Sequence, residues 1–437
     1  MNLLHTAYKL AGHACAALVL PPLGIHRALR GDDLTRFNAR LGVHPRSLQN
    51  AFQGTPRIWL HAVSVGEVSV ALAIVQAIKI WLPQCCLAVS VATEQGMERA
   101  KTLLSGSAVC FYAPLDLTSA TRRTMKMVRP QVLAMLETEI WPNLIVTAHQ
   151  MGVRTAILNG RISVRAIKKY RKVRPLMRHI LSHVDAFSMI SDQDAMRIRS
   201  IGAVPDRLVV NGNAKFDGPD PYPDAVAERR IKDLFNLTGD SRVFVAGSTR
   251  HGEEPQLLEA FMVIRRVFPD CVLILAPRHI HRTEQIEYWI RETGLVSQRR
   301  TLLDQETRPR TAPVIILDTI GELSAIYSCA DFVFCGGSLV GKGGQNILEP
   351  ALWAKPIMYG PSMEDFSDAK LLLENNGAGF IVHDAAELAS LAITWLRQPD
   401  QARSIGRRAR QAILSHRGAA AKHAGVVMRL LGAGSRD

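Results

Sequence analysis

CGGSLVGKGGQNILEP, residues 335–350, decides how the chain is read: an apolar strand end runs into two glycine-rich turns and then into a helix start. Gly336, Gly337, Gly341, Gly343 and Gly344 let backbone N–H groups approach an anion closely, and the N-terminus of the helix that follows adds its positive dipole end. A phosphorylated ligand fits such a turn. Glu349, one turn into that helix, repels phosphate but suits the hydroxyls of a ribose, so the segment reads as a nucleotide pocket on an α/β sheet. The alternative is a glycine-rich strand-to-helix turn without a ligand.

Working outward, periodicity supports that frame. Short apolar runs at 58–63, 87–92, 109–112, 131–136, 155–158 and 186–190 alternate with helical stretches, the first helix starting near Gly66. A second series occupies 242–246, 271–275, 313–317, 331–335, 356–359 and 379–382. The pattern predicts an α/β protein with two doubly wound parallel sheets. Its 437 residues suit two domains of about 200 residues each, and two domains imply a cleft. The linker is expected at 217–222, DGPDPY, where prolines and a glycine interrupt both periodicities. The divisions are therefore an N-terminal segment 1–30, a first domain 31–217 and a second domain 218–437. A basic helical tail, 402–431, is expected to pack along the cleft or back onto the first domain.

Apolar residues make up 47% of the chain and charged residues 21%, which excludes a disordered or fibrous protein. The net charge of +14 collects in part at Arg161, Arg165, Lys168, Lys169, Arg171, Lys172, Arg174 and Arg178. Such a run attracts anionic lipid, phosphorylated substrate or nucleic acid. Nucleic acid is disfavoured, because the run holds one aromatic, Tyr170, and no RNA- or DNA-binding module. A solvated helix face is the bland alternative. The seven cysteines show no zinc spacing, so they read as reduced, with no structural metal.

Residues 10–25, LAGHACAALVLPPLGI, are apolar apart from His13 and contain Pro21 and Pro22. The run is shorter than the roughly 20 residues of a spanning helix. It reads as an amphipathic or barely spanning membrane anchor, with Arg27, Arg30 and Arg36 holding the following chain on the cytoplasmic side. A buried first helix is the alternative.

Open α/β sheets bind ligands beyond the carboxyl ends of their strands, so the residues following each strand are the candidates. Glu67 follows the first strand at a helix opening, where capping is an equally good reason for an acid. Glu137 and Glu139 follow the fourth strand beside Trp141-Pro142. In the second half, Gly247-Ser248-Thr249, Pro277-Arg278-His279 and Ile320-Gly321-Glu322 end strands, and Arg278 is suited to clamp an anionic donor.

HAVSVGE (61–67), ETEIWPN (137–143), NGRIS (159–163), GNAKFD (212–217), AGST (246–249), APRH (276–279), IGEL (320–323), FCGGSLV (334–340) and GGQNILEP (343–350), in this order and spacing, resemble the 3-deoxy-D-manno-octulosonic acid (Kdo) transferases of lipopolysaccharide synthesis. The resemblance covers almost the whole chain. One departure is Gln345-Asn346-Ile347 where that family usually has His-Asn-Pro; glutamine hydrogen-bonds but cannot supply a protonated imidazole.

The resemblance implies an inverting glycosyltransferase of the GT-B architecture, two Rossmann-like domains facing across a cleft with a short membrane-associated N-terminal helix. It implies no cofactor and no metal, in keeping with the lack of an obvious Asp-x-Asp motif. The partners implied are CMP-Kdo, held by the C-terminal domain, the lipid A precursor (lipid IVA), held by the N-terminal one, and the anionic cytoplasmic face of a bacterial inner membrane. By the same resemblance Glu67 is the general base, and Glu137 and Lys215 stabilise the transition state, with Glu139 competing for the carboxylate role. The donor positions implied are Pro277, Arg278, Ile320, Gly321, Glu322, Asn346, Ile347, Leu348 and Glu349. The rival readings are another GT-B enzyme, such as a sugar-nucleotide epimerase or a UDP-sugar transferase, and an inactive nucleotide-binding protein. Choice between CMP and UDP separates the first; retention of Glu67, Glu137 and Lys215 together argues against the second.

Overall fold

The computed structural model describes residues 3–30, 34–137, 139–218, 225–239, 241–303 and 309–433. The chain divides into two compact units, Met1–Gly218 with His416–Asp437, and Pro219–Ser415. Of the linker expected at 217–222, positions 219–222 lie outside the described residues.

Among the described residues the first unit holds seven strands: β1 (Arg57–His61), β2 (Cys86–Val91), β3 (Val109–Tyr112), β4 (Val132–Leu136), β5 (Arg154–Gly160), β6 (Ala186–Met189) and β7 (Leu208–Val210). They form one sheet in the order β3-β2-β1-β4-β5-β6-β7, every pairing parallel. Helices cover both faces of such a sheet, so its central strands are apolar throughout: all residues of β2 and β4 are buried. Strand order reverses between β1 and β4, which opens a crevice at their carboxyl ends.

The second unit repeats the plan with β8 (Arg242–Thr249), β9 (Cys271–Pro277), β10 (Ser297–Arg299), β11 (Val314–Ile316), β12 (Phe332–Cys335), β13 (Ile357–Tyr359) and β14 (Gly379–Ile381). Its order is β10-β11-β9-β8-β12-β13-β14, again all parallel, with the reversal between β8 and β12. The two strands not foreseen, β7 and β10, have three residues each and are only partly covered, so neither leaves a buried apolar run to read.

The tail expected as one helix over 402–431 is two, Pro399–Leu414 and Ala419–Ala433. Gly418, at φ +99°, breaks the run, and the packing partner changes with it. Ala402 and Ile405 join the core of the second unit, whereas Ala419, Ala420, Ala424, Val426 and Val427 pack with Val68, Ala71, Val75 and Leu136 in the first.

The N-terminal helix runs over Leu3–Leu29, through Pro21 and Pro22, and so is longer than the apolar core that suggested it. Its stretch Leu3–Gly24 is long and apolar enough to cross a membrane and is almost wholly unburied within the protein. Polar contacts tie its first turns to the first unit: Tyr8 Oη donates to Asp116 Oδ2 at 2.9 Å, and His5 Nε2 lies 3.2 Å from Asn143 Oδ1.

Close packing in the second unit predicts a sensitive position. A methyl on Gly406 would collide with the carbonyl oxygen of Ala354. Gly406→Ala is expected to destabilise by about 1–3 kcal/mol, read as a lower thermal midpoint by circular dichroism. Gly239→Ala, whose added methyl meets nothing within 4 Å, is expected to stay within about 0.5 kcal/mol of the parent.

Candidate active site

Both reversals of strand order carry the residues singled out from sequence. At the β1/β4 reversal, the chain leaves β1 and enters the helix Val65–Trp81, capped by Ser64. Glu67 sits in the first turn with 6% of its surface exposed. Its Oε2 accepts the Val63 N–H at 2.7 Å and its Oε1 accepts the Ser64 hydroxyl at 2.9 Å. Ser64 Oγ in turn accepts the Glu67 N–H at 3.5 Å, a variant of the capping box in which the acid reaches the Val63 N–H and not that of Ser64, so the capping reading of this acid holds. Capping does not require burial, however, and burial gives the carboxyl unusual chemistry: its pKa is pushed up to about 7, first by desolvation and then by the negative charges of Glu139 and Glu137, against the Val63 N–H.

The second carboxylate comes from β4. Glu137 has φ +53°, a left-handed conformation that costs a non-glycine residue on the order of 1–3 kcal/mol and that clusters at functional sites. Its Oε1 pairs with Lys215 Nζ at 2.7 Å. Glu139 is half-buried; the indole N–H of Trp141 donates to its Oε2 at 2.5 Å, and burial followed by the charge of Glu137 raises its pKa. The intervening Thr138 lies outside the described residues. Behind them, Trp141 meets the fully buried ring of His61 edge-on at 4.5 Å. Burial, with the charge of Arg40, holds His61 down to about 3, so the imidazole is neutral.

Lys215 arrives on the short turn Ala214–Asp217, which distant segments clamp. Asn159 Oδ1 accepts the Ala214 N–H at 2.8 Å and Asn213 Oδ1 accepts that of Lys215 at 2.9 Å. Arg417 donates to the carbonyls of Phe216 and Gly218, and Asp217 caps the last helix by accepting the N–H groups of Gly418 and Ala420. No local pattern points to Arg417, which reaches back 201 residues. The first unit thus gathers Glu67, Glu137, Glu139 and Lys215 at one crevice.

In the second unit the positions expected to hold the donor lie at the end of β9 and in the segments after β9, β11 and β12, but the glycine-rich pocket differs from its expectation. Glu253 reaches into the first turn from a segment 84 residues earlier and accepts the Gly337 N–H. It also accepts those of Ser338 and Leu339. Gly336 donates to the Gly247 carbonyl, Gly343 to Ser362 Oγ and Gly344 to the Gly337 carbonyl. Those amides serve internal acceptors and are not open to a phosphate. The helix after the turn is Leu348–Leu352, five residues, so Glu349 lies at its second position and not one turn in. Ile347 and Leu348 are buried and support the backbone, while Asn346 Nδ2 donates to Glu349 Oε1 at 2.9 Å.

Pro277 closes β9, and Arg278 projects into solvent just beyond it, its N–H bonded to the Thr249 carbonyl. Ile320 is 84% exposed, Gly321 has φ +94°, and Glu322 pairs with Arg300 at 2.9 Å. Exposed apolar Ile320 beside a glycine turn offers backbone groups and a nonpolar surface to a ligand.

Comparison with known proteins places this arrangement. The two-sheet fold is shared with a glycosyltransferase from Rickettsia africae: TM-score 0.59 at 12% identity, covering 88% of this chain and all of that one. That likeness defines the fold class, the GT-B type. Residues 35–218 match the family model described as 3-deoxy-D-manno-octulosonic-acid transferase. A 3-deoxy-D-manno-octulosonic acid transferase of Haemophilus influenzae is 29% identical over 88% of this chain and 90% of its own length. A bifunctional glycosyltransferase/methyltransferase of Fusobacterium nucleatum is 32% identical over 76% of this chain, which spans about half (51%) of that relative. Residues 35–218 therefore match the Kdo transferase domain, and over most of its length the chain is similar to Kdo transferases, which are glycosyltransferases.

The raised pKa of Glu67 has a consequence for stability. A carboxyl whose folded value, about 7, lies above its ordinary 4.5 binds its proton more tightly when folded. Its stabilising contribution is fully present below pH 4.5 and is lost as pH rises through 7. Glu67→Gln cannot ionise, so its thermal midpoint is expected to gain on that of the wild type between pH 5 and pH 8. Melting curves at the two pH values check the sign.

Proposed function

We propose that the protein transfers Kdo from CMP-Kdo to the lipid A precursor (lipid IVA), with inversion and without a metal ion, using Glu67 as general base. The observation that carries this reading is the buried Glu67 carboxyl with a pKa near 7, poised to lose and take a proton close to neutral pH. The match of residues 35–218 to the Kdo transferase model, and the likeness of most of the chain to Kdo transferases, support the sugar.

In this mechanism ionised Glu67 takes the proton of the acceptor hydroxyl. The oxygen attacks the anomeric carbon of Kdo on the face opposite the phosphate. The bond from that carbon to the phosphate oxygen breaks, and its electron pair leaves on CMP, so the configuration inverts. Lys215, paired with Glu137, supplies fixed charge for the transition state; such preorganised groups cost no reorganisation during the reaction. Arg278 takes the phosphate of the donor, and the backbone of Ile320–Gly321–Glu322, with Asn346, Ile347, Leu348 and Glu349, holds the nucleoside.

The acceptor is a lipid, and the surface suits one. The helix Leu3–Leu29 exposes Leu3, Leu10, Leu18 and Val19, and it contacts the helix Arg174–Leu181. That helix and its neighbour Val164–Lys172 expose Lys168, Lys169, Arg171, Lys172, Arg174 and Arg178. We read the first as the membrane anchor and the second as the surface for anionic headgroups on the cytoplasmic side of the inner membrane, each basic residue contributing about 1 kcal/mol there.

Two measurements test the reading. Purified wild type is expected to convert CMP-Kdo and a tetra-acylated lipid A precursor into a Kdo-bearing product detected by mass. Glu67→Ala is expected to lose about a hundredfold or more of that rate with CMP affinity retained. Absence of product from folded wild type sinks the reading. Reversing Lys168, Lys169, Arg171 and Lys172 to glutamate is expected to weaken sedimentation with anionic vesicles but not with neutral ones.

A further inference from the structure

Two adjacent acids are the most completely buried charges among the described residues of the second unit. Glu253 and Glu254 each have no exposed surface. Glu253 Oε2 accepts the N–H groups of Gly337 and Arg250, both at 2.7 Å, and its Oε1 accepts those of Ser338 and Leu339, both at 2.9 Å. Glu254 holds Arg282 through two bonds, 2.7 and 3.1 Å, and accepts the Thr249 hydroxyl at 3.1 Å. Burying carboxylates is costly unless their lone pairs are satisfied, and here they are satisfied by three separate strand-end segments. Thr249 ends β8 and Arg250 follows it, Arg282 lies in the segment after β9 that carries Arg278, and residues 337–339 follow β12.

The first glycine turn has the form of an anion nest, with consecutive N–H groups converging on one point. Its anion is already present, covalently part of the chain. A phosphate directed there would displace or face a buried negative charge.

Taking the second unit as the donor-binding unit under the function proposed above, we propose that Glu253 is a positioning residue that also sets donor class. It fixes the turn beside Asn346–Glu349 and, by filling the nest, leaves room for the one phosphate of a nucleoside monophosphate sugar and none for the second phosphate of a diphosphate. Glutamine at this position keeps the shape but turns an N–H pair towards donors, so part of the set is left unpaired.

The test uses the full-length protein in detergent. Calorimetric titration of the wild type is expected to give tighter binding of CMP than of CDP. Glu253→Gln is expected to raise the donor KM about tenfold or more, leave the acceptor KM unchanged and narrow the CMP-to-CDP preference. A generally damaged fold would move both KM values and would not move that preference. Hydrogen exchange on the wild type needs no variant: the amides of 337–339 are expected to be slow in the free protein and unchanged by CMP. Fast amides that slow only on adding CMP, or a Glu253→Gln protein with wild-type donor KM and preference, overturn the inference. Wild type that binds no CMP instead removes the donor reading on which it rests.

Discussion

The interaction on which the first unit's chemistry depends is the capture of the Glu67 carboxylate by the Val63 N–H and the Ser64 hydroxyl. Those two bonds hold the ionised form in place; burial and the neighbouring Glu139 and Glu137 work against it. Opposed, they bring the carboxyl into the range where a base can both take and release a proton.

That balance needs the backbone to deliver several groups to one place, and parallel winding does so. Reversal of strand order sets the ends of β1 and β4 side by side, so Glu67 and Glu137 meet although about 70 residues separate them. The left-handed backbone at Glu137 turns its carboxylate towards Lys215, and the last helix fixes the turn that bears the lysine. In the second unit the equivalent reversal is stitched by internal carboxylates, so its glycine turn is rigid before any ligand arrives.

Much of the fold was readable from sequence because buried parallel strands are short apolar runs with helices between them; twelve of the fourteen appear as such runs. The edge strands β7 and β10 are too short and too exposed to carry that signal. Glu67 could be read both as a cap and as a base: S-x-x-E describes the cap, which the structure shows, and the base remains the proposal, motivated by a burial that sequence does not reveal. The glycine turn misled for a physical reason: glycines report that amides converge, but not which anion they meet. Glu253-Glu254-Pro255 reads locally as the acidic first turn of a helix, and nothing nearby in sequence reveals its partners at 337–339. The tail read as one helix because both halves are amphipathic and basic; Gly418 was the one sign of a break.

The most direct test of the central claim is the pH dependence of kcat/KM for Kdo transfer, compared between wild type and Glu139→Gln. The account predicts an acidic limb with an apparent pKa of about 7 in the wild type, moved to lower pH in the variant because one negative neighbour of Glu67 is gone. A limb at an ordinary carboxylate pKa, or one near 7 that ignores Glu139, would contradict it and assign the titration to another group.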